Sequence, residues 1–391
     1  MISVLVVDDS VVIRKLVADA LSGDPKIKVV GTASNGHLAQ AKIDQLKPDA
    51  ITMDIEMPQM DGIAAVKELR KRHPRIPVIM FSTLSAAGAS ATLEALAAGA
   101  TDYVTKPSNV GSISQSIAAV REQLVPKIHA LAGKPQGGPS GLATGPLRRP
   151  AGPAVAPARP GTLGAAPGRT GSPPVRPGPA KPPGRAPARR GPQGRIDLIA
   201  IGSSTGGPDA LTKVLQAMPA ELPVPIVVTQ HMPPVFTRMF AERLDRSTAL
   251  TVVEAADGME LAPGRAYIAP GDKHLVLHRR GTAIMTQLSG APPENSCRPA
   301  VDVMFRSVAQ IYGASAFAAV LTGMGYDGRD GARVLREAGA EILAQDEASS
   351  VVWGMPGAVV TAGLADDVQP LEQIASALLS RVKTGRSAVV A

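Results

Sequence analysis

Two sets of side chains in this sequence could do chemistry. The first is acidic. Asp8 and Asp9 follow the apolar run Val4–Val7, and Asp54 follows Ala50–Met53 in Met53-Asp54-Ile55-Glu56-Met57-Pro58. Strand-length runs that end in carboxylates bring those carboxylates to one edge of a parallel sheet. Converging carboxylates repel unless a hard divalent cation joins them, and an open, oxygen-rich site suits Mg²⁺. Lys106, in Thr105-Lys106-Pro107 after the run Asp102–Val104, can neutralise an added phosphoryl group. Ser82, just after Val78–Phe81, offers a hydroxyl to the same place. Together they read as a carboxylate nucleophile that takes up a phosphoryl group beside Mg²⁺. Any one of these acids alone would read as a solvated strand end.

The second set is a hydroxyl, an imidazole and a carboxylate. Ile196–Ile201 runs into Gly202-Ser203-Ser204-Thr205-Gly206-Gly207. This turn, Gly202–Gly207, carries neither G-x-G-x-x-G nor a Gly-Lys-Ser/Thr signature, although such a turn can still hold an anion on helix amides. G-x-S-x-G is satisfied by Gly202–Gly206 and puts Ser204 on a tight turn at the mouth of a sheet. A serine needs a base. His231 follows the run Ile226–Thr229 directly, on the same sheet edge, whereas His274 and His278 are expected at the surface of a hairpin-like insertion. The base needs an orienting carboxylate, which Asp327 supplies from the Gly-rich stretch Leu321–Gly328. The alternatives for this position are an Asp327 that caps the next helix, and Asp330 as a rival acid inside that helix. Amides of the Gly-rich turns, Gly206 included, are suited to an oxyanion.

The elements that must carry these residues alternate. The first segment, of about 125 residues, offers five strand-like runs, Lys28–Gly31 among them, with helical spacing between, as at Val11–Leu21. After the serine turn come helical Pro208–Ala217 and Pro234–Leu244, then strand-like Ala266–Ala269, Leu275–Leu277 and Ala283–Thr286, which suggest a hairpin-bearing insertion, and further strands at Ala318–Leu321 and Ile342–Ala344. The predicted class is α/β, with two doubly wound parallel-sheet domains, the first flavodoxin-like and the second Rossmann-like. The expected boundaries are 1–126 for the first domain, 127–194 for a linker, 195–385 for the second domain and 386–391 for a tail. The linker is rich in Pro, Gly, Ala and Arg and lacks apolar periodicity, so it is expected to be disordered, with a basic tether to an anionic surface as the alternative.

The net charge of +8 belongs to that linker: 12 Lys or Arg and no Asp or Glu lie between Gln123 and Ile196, so the remainder is acidic. A nucleic-acid-binding face is therefore not expected. The single cysteine, Cys297, excludes an internal disulfide and fits a reducing compartment. No apolar run is long enough to span a membrane, and the N-terminus lacks the basic region of a signal peptide, so a cytoplasmic location without membrane insertion is expected.

Residues 1 to about 125 resemble a response-regulator receiver domain, through Val7-Asp8-Asp9-Ser10, Met53–Gly62, Ser82 and Thr105-Lys106-Pro107. The resemblance implies that Asp54 is the phosphoacceptor, that Asp8, Asp9 and Asp54 hold Mg²⁺, that Lys106 contacts the phosphate, and that Ser82 and Tyr103 are the switch residues. Residues from about Ile196 to Val382 resemble the catalytic domain of the chemotaxis protein-glutamate methylesterases, many of which also deamidate receptor glutamines. The matching stretches include Ile201–Pro208, Thr229–Pro234, Tyr267–His274, Arg298–Phe305, Leu321–Gly328 and Gly354-Met355-Pro356. The resemblance implies a catalytic Ser204, His231 and Asp327, with Thr205 and Met324 lining the site and no cofactor in this domain. It further implies methyl-accepting chemoreceptors as substrate and the histidine kinase of the chemotaxis pathway as phosphodonor. Tyr326 stands where the family often has Asn. The competing reading is a receiver-gated anion- or protein-binding module without hydrolase activity.

Overall fold

The computed structural model describes residues 1–107, 112–133 and 194–387, with side-chain detail to residue 384. Most of the expected linker, from 134 to 193, lies outside the described residues, as do 388–391 of the expected tail.

The first domain alternates β1 (Ile2–Val7), α1 (Val11–Ser22), β2 (Ile27–Ala33), α2 (Gly36–Leu46), β3 (Ala50–Asp54), α3 (Gly62–Arg72), β4 (Val78–Ser82), α4 (Ala86–Ala97), β5 (Asp102–Thr105) and α5 (Ile113–Ala132). Its five strands are all parallel, in the order β2-β1-β3-β4-β5. This is the flavodoxin-like order, whose reversal lies between β1 and β3. Val4 to Val7 are at most 1 % exposed, because a parallel strand is covered on both faces and a continuous apolar run suits it. Helix α5 runs through Pro126 to Ala132, so the expected boundary at residue 126 falls inside it. The helix is kept by packing: Ile128 is fully buried, and Lys127 and His129 pair with Asp102 and Asp24.

The second domain comprises β6 (Leu198–Ser203), α6 (Gly207–Gln216), β7 (Ile226–Gln230), α7 (Phe236–Ser247), β8 (Thr251–Glu254), β9 (Arg265–Ile268), β10 (His274–Arg280), β11 (Ala283–Ser289), α8 (Val301–Tyr312), β12 (Ala316–Val320), α9 (Arg329–Glu337), β13 (Glu341–Gln345), α10 (Met355–Thr361), β14 (Asp367–Gln369) and α11 (Leu371–Ser387). Its sheet has seven strands in the order β14-β13-β12-β6-β7-β9-β8, all parallel. Chain direction across the sheet reverses between β6 and β12, which makes the crevice beyond their carboxyl ends the expected ligand site.

Two further expectations need correction. The run at Ala266 is not part of the hairpin insertion; β9 is an interior strand between β7 and β8. Only β10 and β11 form the hairpin, and they pair as a separate antiparallel ribbon. Helix α11 also continues past the expected start of the tail, to Ser387.

The described parts of the two domains belong to one compact unit. Tyr103 of β5 stacks on Phe236 of α7, with ring centroids 4.8 Å apart and planes within 7°. Leu93 and Leu96 of α4 lie beside Pro208 of α6 and Phe240 of α7.

Candidate functional site

The acid pocket forms where the sheet order reverses. Asp8 leaves β1 and Asp54 ends β3, and both are buried, at 2 % and 3 % exposure, while Asp9 faces solvent. Oxygens from all three lie within 4.8 Å of one another. Lys106 Nζ sits 2.7 Å from Asp54 Oδ1 and 3.3 Å from Asp8 Oδ2. Burial and the Asp54 charge push the Asp8 carboxyl up to about 6, against the pull of Lys106. Burial likewise raises Asp54, although its contacts with Lys106 oppose this. Apart from the ion pair with Lys106 at 3.3 Å, Asp8 Oδ2 forms no hydrogen bond among the described residues. A buried, electron-rich oxygen left open beside two further carboxylates is what a hard divalent cation would satisfy, so these residues fit Mg²⁺.

Ser82 lines the small cleft next to Asp54 and Lys106, yet its hydroxyl is turned onto α4. It donates to the Gly88 carbonyl at 3.1 Å and accepts from the Thr92 hydroxyl at 2.6 Å. Tyr103 is 8 % exposed and occupied by its stack on Phe236. The structure therefore sets Ser82 at the acid pocket and Tyr103 in the contact with the second domain.

The second site is built from three strand ends. Ser204 follows β6, His231 follows β7, and Asp327 follows β12 by way of Gly323–Tyr326. Gly206 adopts φ 77°, a left-handed conformation open to glycine, and this lets the chain turn sharply from Ser204 into α6. Gly323 packs so close to this turn that a Cβ there would sit 2.9 Å from the Ser204 Cβ and 2.3 Å from Met355 Sδ. Gln230 ties the turn to the histidine: its Nε2 donates to the carbonyls of Ser204 at 3.0 Å and His231 at 3.2 Å.

His231 and Asp327 are joined directly, with Nε2 2.8 Å from Oδ2. Asp327 is 2 % exposed and does not cap α9 through its own side chain as a separate task; it is enclosed by donors. Its Oδ2 accepts from the Val301 amide at 2.6 Å, and its Oδ1 from the amides of Asp302 at 3.1 Å and Gly328 at 3.0 Å. Asn295 Nδ2 adds a further bond to Oδ1 at 3.0 Å. The carboxylate thus sits on the amino end of α8, where unpaired amides favour an anion. Burial acts to raise its pKa, but His231 and these amides hold it at about 2. Burial likewise acts to lower the His231 imidazole, and it is outweighed by Asp327 and by the Cys297 sulfur, so the imidazole lies well above its ordinary range.

Ser204 and His231 line one cavity of about 380 Å³ together with Thr205, Met324 and Cys297. Among the described residues no hydrogen bond joins the Ser204 hydroxyl to His231; the ring's Nδ1 is 3.5 Å from Cys297 Sγ. Nor does any engage the backbone N–H of Thr205 or Gly206. The opposite wall of the cavity belongs to the first domain: Asp102, Tyr103 and Thr105 of β5, with Gln123 and Lys127 of α5. Thr205 Oγ1 donates to Asp102 Oδ2 at 2.8 Å, and Lys127 pairs with the same oxygen at 2.9 Å.

His274, expected at the surface, is fully buried: its Nδ1 accepts from the Ala300 amide at 3.1 Å. Asp330 lies in the first turn of α9 and is paired with Arg329 at 3.0 Å, away from His231. Gln230, Asn295 and Asp102 were not expected at the site from the sequence, and Cys297 stood out only as the single cysteine. Only the run of Gln230 into His231 offered a local signal; the others are brought in by long connections.

The sequence profile of the CheB methylesterase family matches residues 199–378, and that of the response regulator receiver domain matches residues 4–118. A protein-glutamate methylesterase/protein-glutamine glutaminase of Nocardioides sp. is 51 % identical, with 100 % of this chain and 98 % of that protein aligned. One of the same description from Trichodesmium erythraeum is 43 % identical over 97 % of this chain and 98 % of that protein. Among solved structures, the Thermotoga maritima CheB methylesterase catalytic domain is 44 % identical, covering 47 % of this chain and 98 % of its own, with a TM-score of 0.47. The response regulator domain of Thermotoga maritima CheB is 46 % identical, covering 34 % of this chain and 98 % of its own, with a TM-score of 0.31.

Proposed function

The chain belongs to the protein-glutamate methylesterase/protein-glutamine glutaminase family, with a receiver domain ahead of a CheB methylesterase domain, and from that premise we propose how its residues do the work. It is a phosphorylation-activated hydrolase that removes methyl esters from glutamates of chemoreceptors and deamidates receptor glutamines. The observation that carries the site assignment is the direct His231–Asp327 bond on a cavity shared with Ser204.

Ser204 attacks the ester carbonyl. Because Nε2 of His231 is bound to Asp327, the serine proton goes to Nδ1. Asp327 holds the ring and stabilises the imidazolium that forms. The amides of Thr205 and Gly206, left open by the turn, receive the oxyanion. The imidazolium returns its proton to the leaving methoxide, methanol departs, and water, activated by the same nitrogen, releases the glutamate carboxylate. With a glutamine substrate the same steps release ammonia.

In the first domain Asp54 accepts the phosphoryl group from a histidine kinase. Asp8, Asp9 and Asp54 would hold Mg²⁺, which when bound neutralises the oxygens of the transferring group. Lys106 binds the added phosphate. Ser82 leaves Gly88 and Thr92 to bind it as well, and this withdraws a tie from α4, which packs on α6 and α7. The Asp102–Thr205 bond and the Tyr103–Phe236 stack then give way, and the cavity opens to receptor.

Methanol release from methylated receptor, with and without a small-molecule phosphodonor, tests this. Turnover should rise with phosphodonor in the wild type and stay at its basal value in Asp54→Asn. An Asp54→Asn protein that responds like the wild type would refute the assigned phosphoacceptor, and a wild type that releases no methanol would refute the activity.

A further inference from the structure

One cluster beside the His231–Asp327 pair has no part in the reaction so far. Asp302, in the first turn of α8, is 1 % exposed. Its Oδ1 accepts from the Gly331 amide at 2.6 Å, and its Oδ2 accepts from Asn295 Nδ2 at 2.9 Å. The same nitrogen donates to Asp327 Oδ1 at 3.0 Å. A side-chain amide nitrogen carries two protons, so it can bind both carboxylates at once. Asn295 is held for this purpose in a left-handed conformation, φ 52°, followed by Ser296 at φ 61°. Such backbone persists where its surroundings over-determine it. Here the Glu294–Cys297 bridge closes the turn, and Arg306 braces it through two bonds to Glu294 at 2.7 and 2.5 Å.

Two neighbouring buried carboxylates are costly unless a cation or donors answer them. The charged and titratable groups around Asp302 come from every packed element. Arg306 lies on α8 itself and is engaged with Glu294 of the turn. Arg329, at the start of α9, is engaged with Asp330. His274 of β10 faces the Ala300 amide through an unprotonated Nδ1. Among the described residues, His231 lies on the far side of Asp327 and carries a positive charge when protonated.

We propose that Asp302, acting through the Asn295 amide, is a positioning residue of the hydrolase: it fixes the rotamer of Asp327 and adds its charge to the field that holds the His231 imidazolium. The proposal rests on the reading of Ser204, His231 and Asp327 as the reacting groups. Burial raises the Asp302 carboxyl, the Gly331 amide opposes it, and the Asp327 charge adds to the rise, to about 6. The ionised form of Asp302 is the one that acts on the ring. Its negative charge favours the protonated ring, so removing it lowers the imidazole pKa and leaves more neutral base at a given pH.

The test uses the full chain with phosphodonor, methanol release from methylated receptor across pH, and the His231 ring titration by NMR. Asp302→Asn should lower kcat about tenfold with KM unchanged, since the residue lines no part of the cavity. It should also move the acid limb and the ring titration down by about one pH unit. Asn295→Gly suits the left-handed backbone and serves if Asp302→Asn does not fold. It should lower kcat with KM unchanged and move the titration in the same direction, because the unbridged carboxylates then share a proton. Lost kcat with the acid limb and ring titration unmoved in both variants would reduce the cluster to a structural brace and overturn the proposal. Asp327→Asn is the control: a variant with wild-type turnover would overturn the underlying assignment of the reacting groups, whereas its collapse together with an unmoved Asp302→Asn profile would overturn this inference alone.

Discussion

His231 is biased by its surroundings toward its protonated form. Asp327 accepts from it at 2.8 Å and is itself pinned by three backbone amides and Asn295. Burial acts to lower the imidazole pKa, but the paired Asp327 and the Cys297 sulfur raise it, and the pinned carboxylate fixes the ring's orientation. A base works only when deprotonated, so turnover should rise as pH climbs through the folded-state imidazole pKa. Asp327→Asn removes the charge and should shift this limb to lower pH, while the lost orientation cuts kcat about 10⁴-fold. A kcat–pH profile whose limb stays in place would contradict the role given to Asp327. Ser204, His231 and Asp327 were legible because each follows a strand-like run and carries a side chain with few other uses at such a place. Asn295 and Cys297 were not. They lie on a turn whose approach to His231 depends on where α8 packs, and no spacing in the sequence encodes that.

Elements place these residues through close backbone contacts. Gly323 lets the loop after β12 lie against Ser204, and Gly206 lets the chain turn into α6. Gly323→Ala would drive a Cβ into Met355 Sδ and the Ser204 Cβ. Overpacking of this kind costs about 1–3 kcal/mol and misplaces the hydroxyl, so we expect a roughly 100-fold loss of turnover with a folded protein. Circular dichroism and methanol release on one sample check both parts, and unimpaired turnover would mean the turn tolerates the shift. The parallel strands were legible as continuous apolar runs, since burial on both faces leaves no alternation to be confused with. By contrast, β8 and β14 are short edge strands, and α5 survives Pro126 because tertiary packing holds Ile128 and Lys127 in place. Periodicity carries none of that information.

At the scale of the whole molecule, one face of the first domain forms a wall of the hydrolase cavity. The tie is small: a hydroxyl–carboxylate bond from Thr205 to Asp102, the Lys127 pair, and one aromatic stack. A stack contributes about 0.5–1.5 kcal/mol beyond its buried area. Moving from mostly closed to mostly open requires about 5 kcal/mol of differential stabilisation, so several such contacts must be released together. Asp102→Ala and Tyr103→Ala should each raise turnover without phosphodonor by about tenfold, as each removes about 1.4 kcal/mol from the closed state. Unchanged basal turnover in both would show that this face does not restrain the enzyme. The two-domain plan was legible in the alternation on either side of the basic segment. The packing between the domains was not, because Tyr103 and Phe236 are separated by more than a hundred residues, and Tyr103 reads from the sequence as a switch residue of its own domain.

The account stands most directly on methanol release from methylated chemoreceptor by the phosphodonor-treated full chain, wild type against Ser204→Ala. Loss of the hydroxyl is predicted to cut turnover by about 10⁴-fold or more. A Ser204→Ala protein that keeps more than about a tenth of wild-type turnover would contradict it, since the chemistry would then be proceeding without the nucleophile.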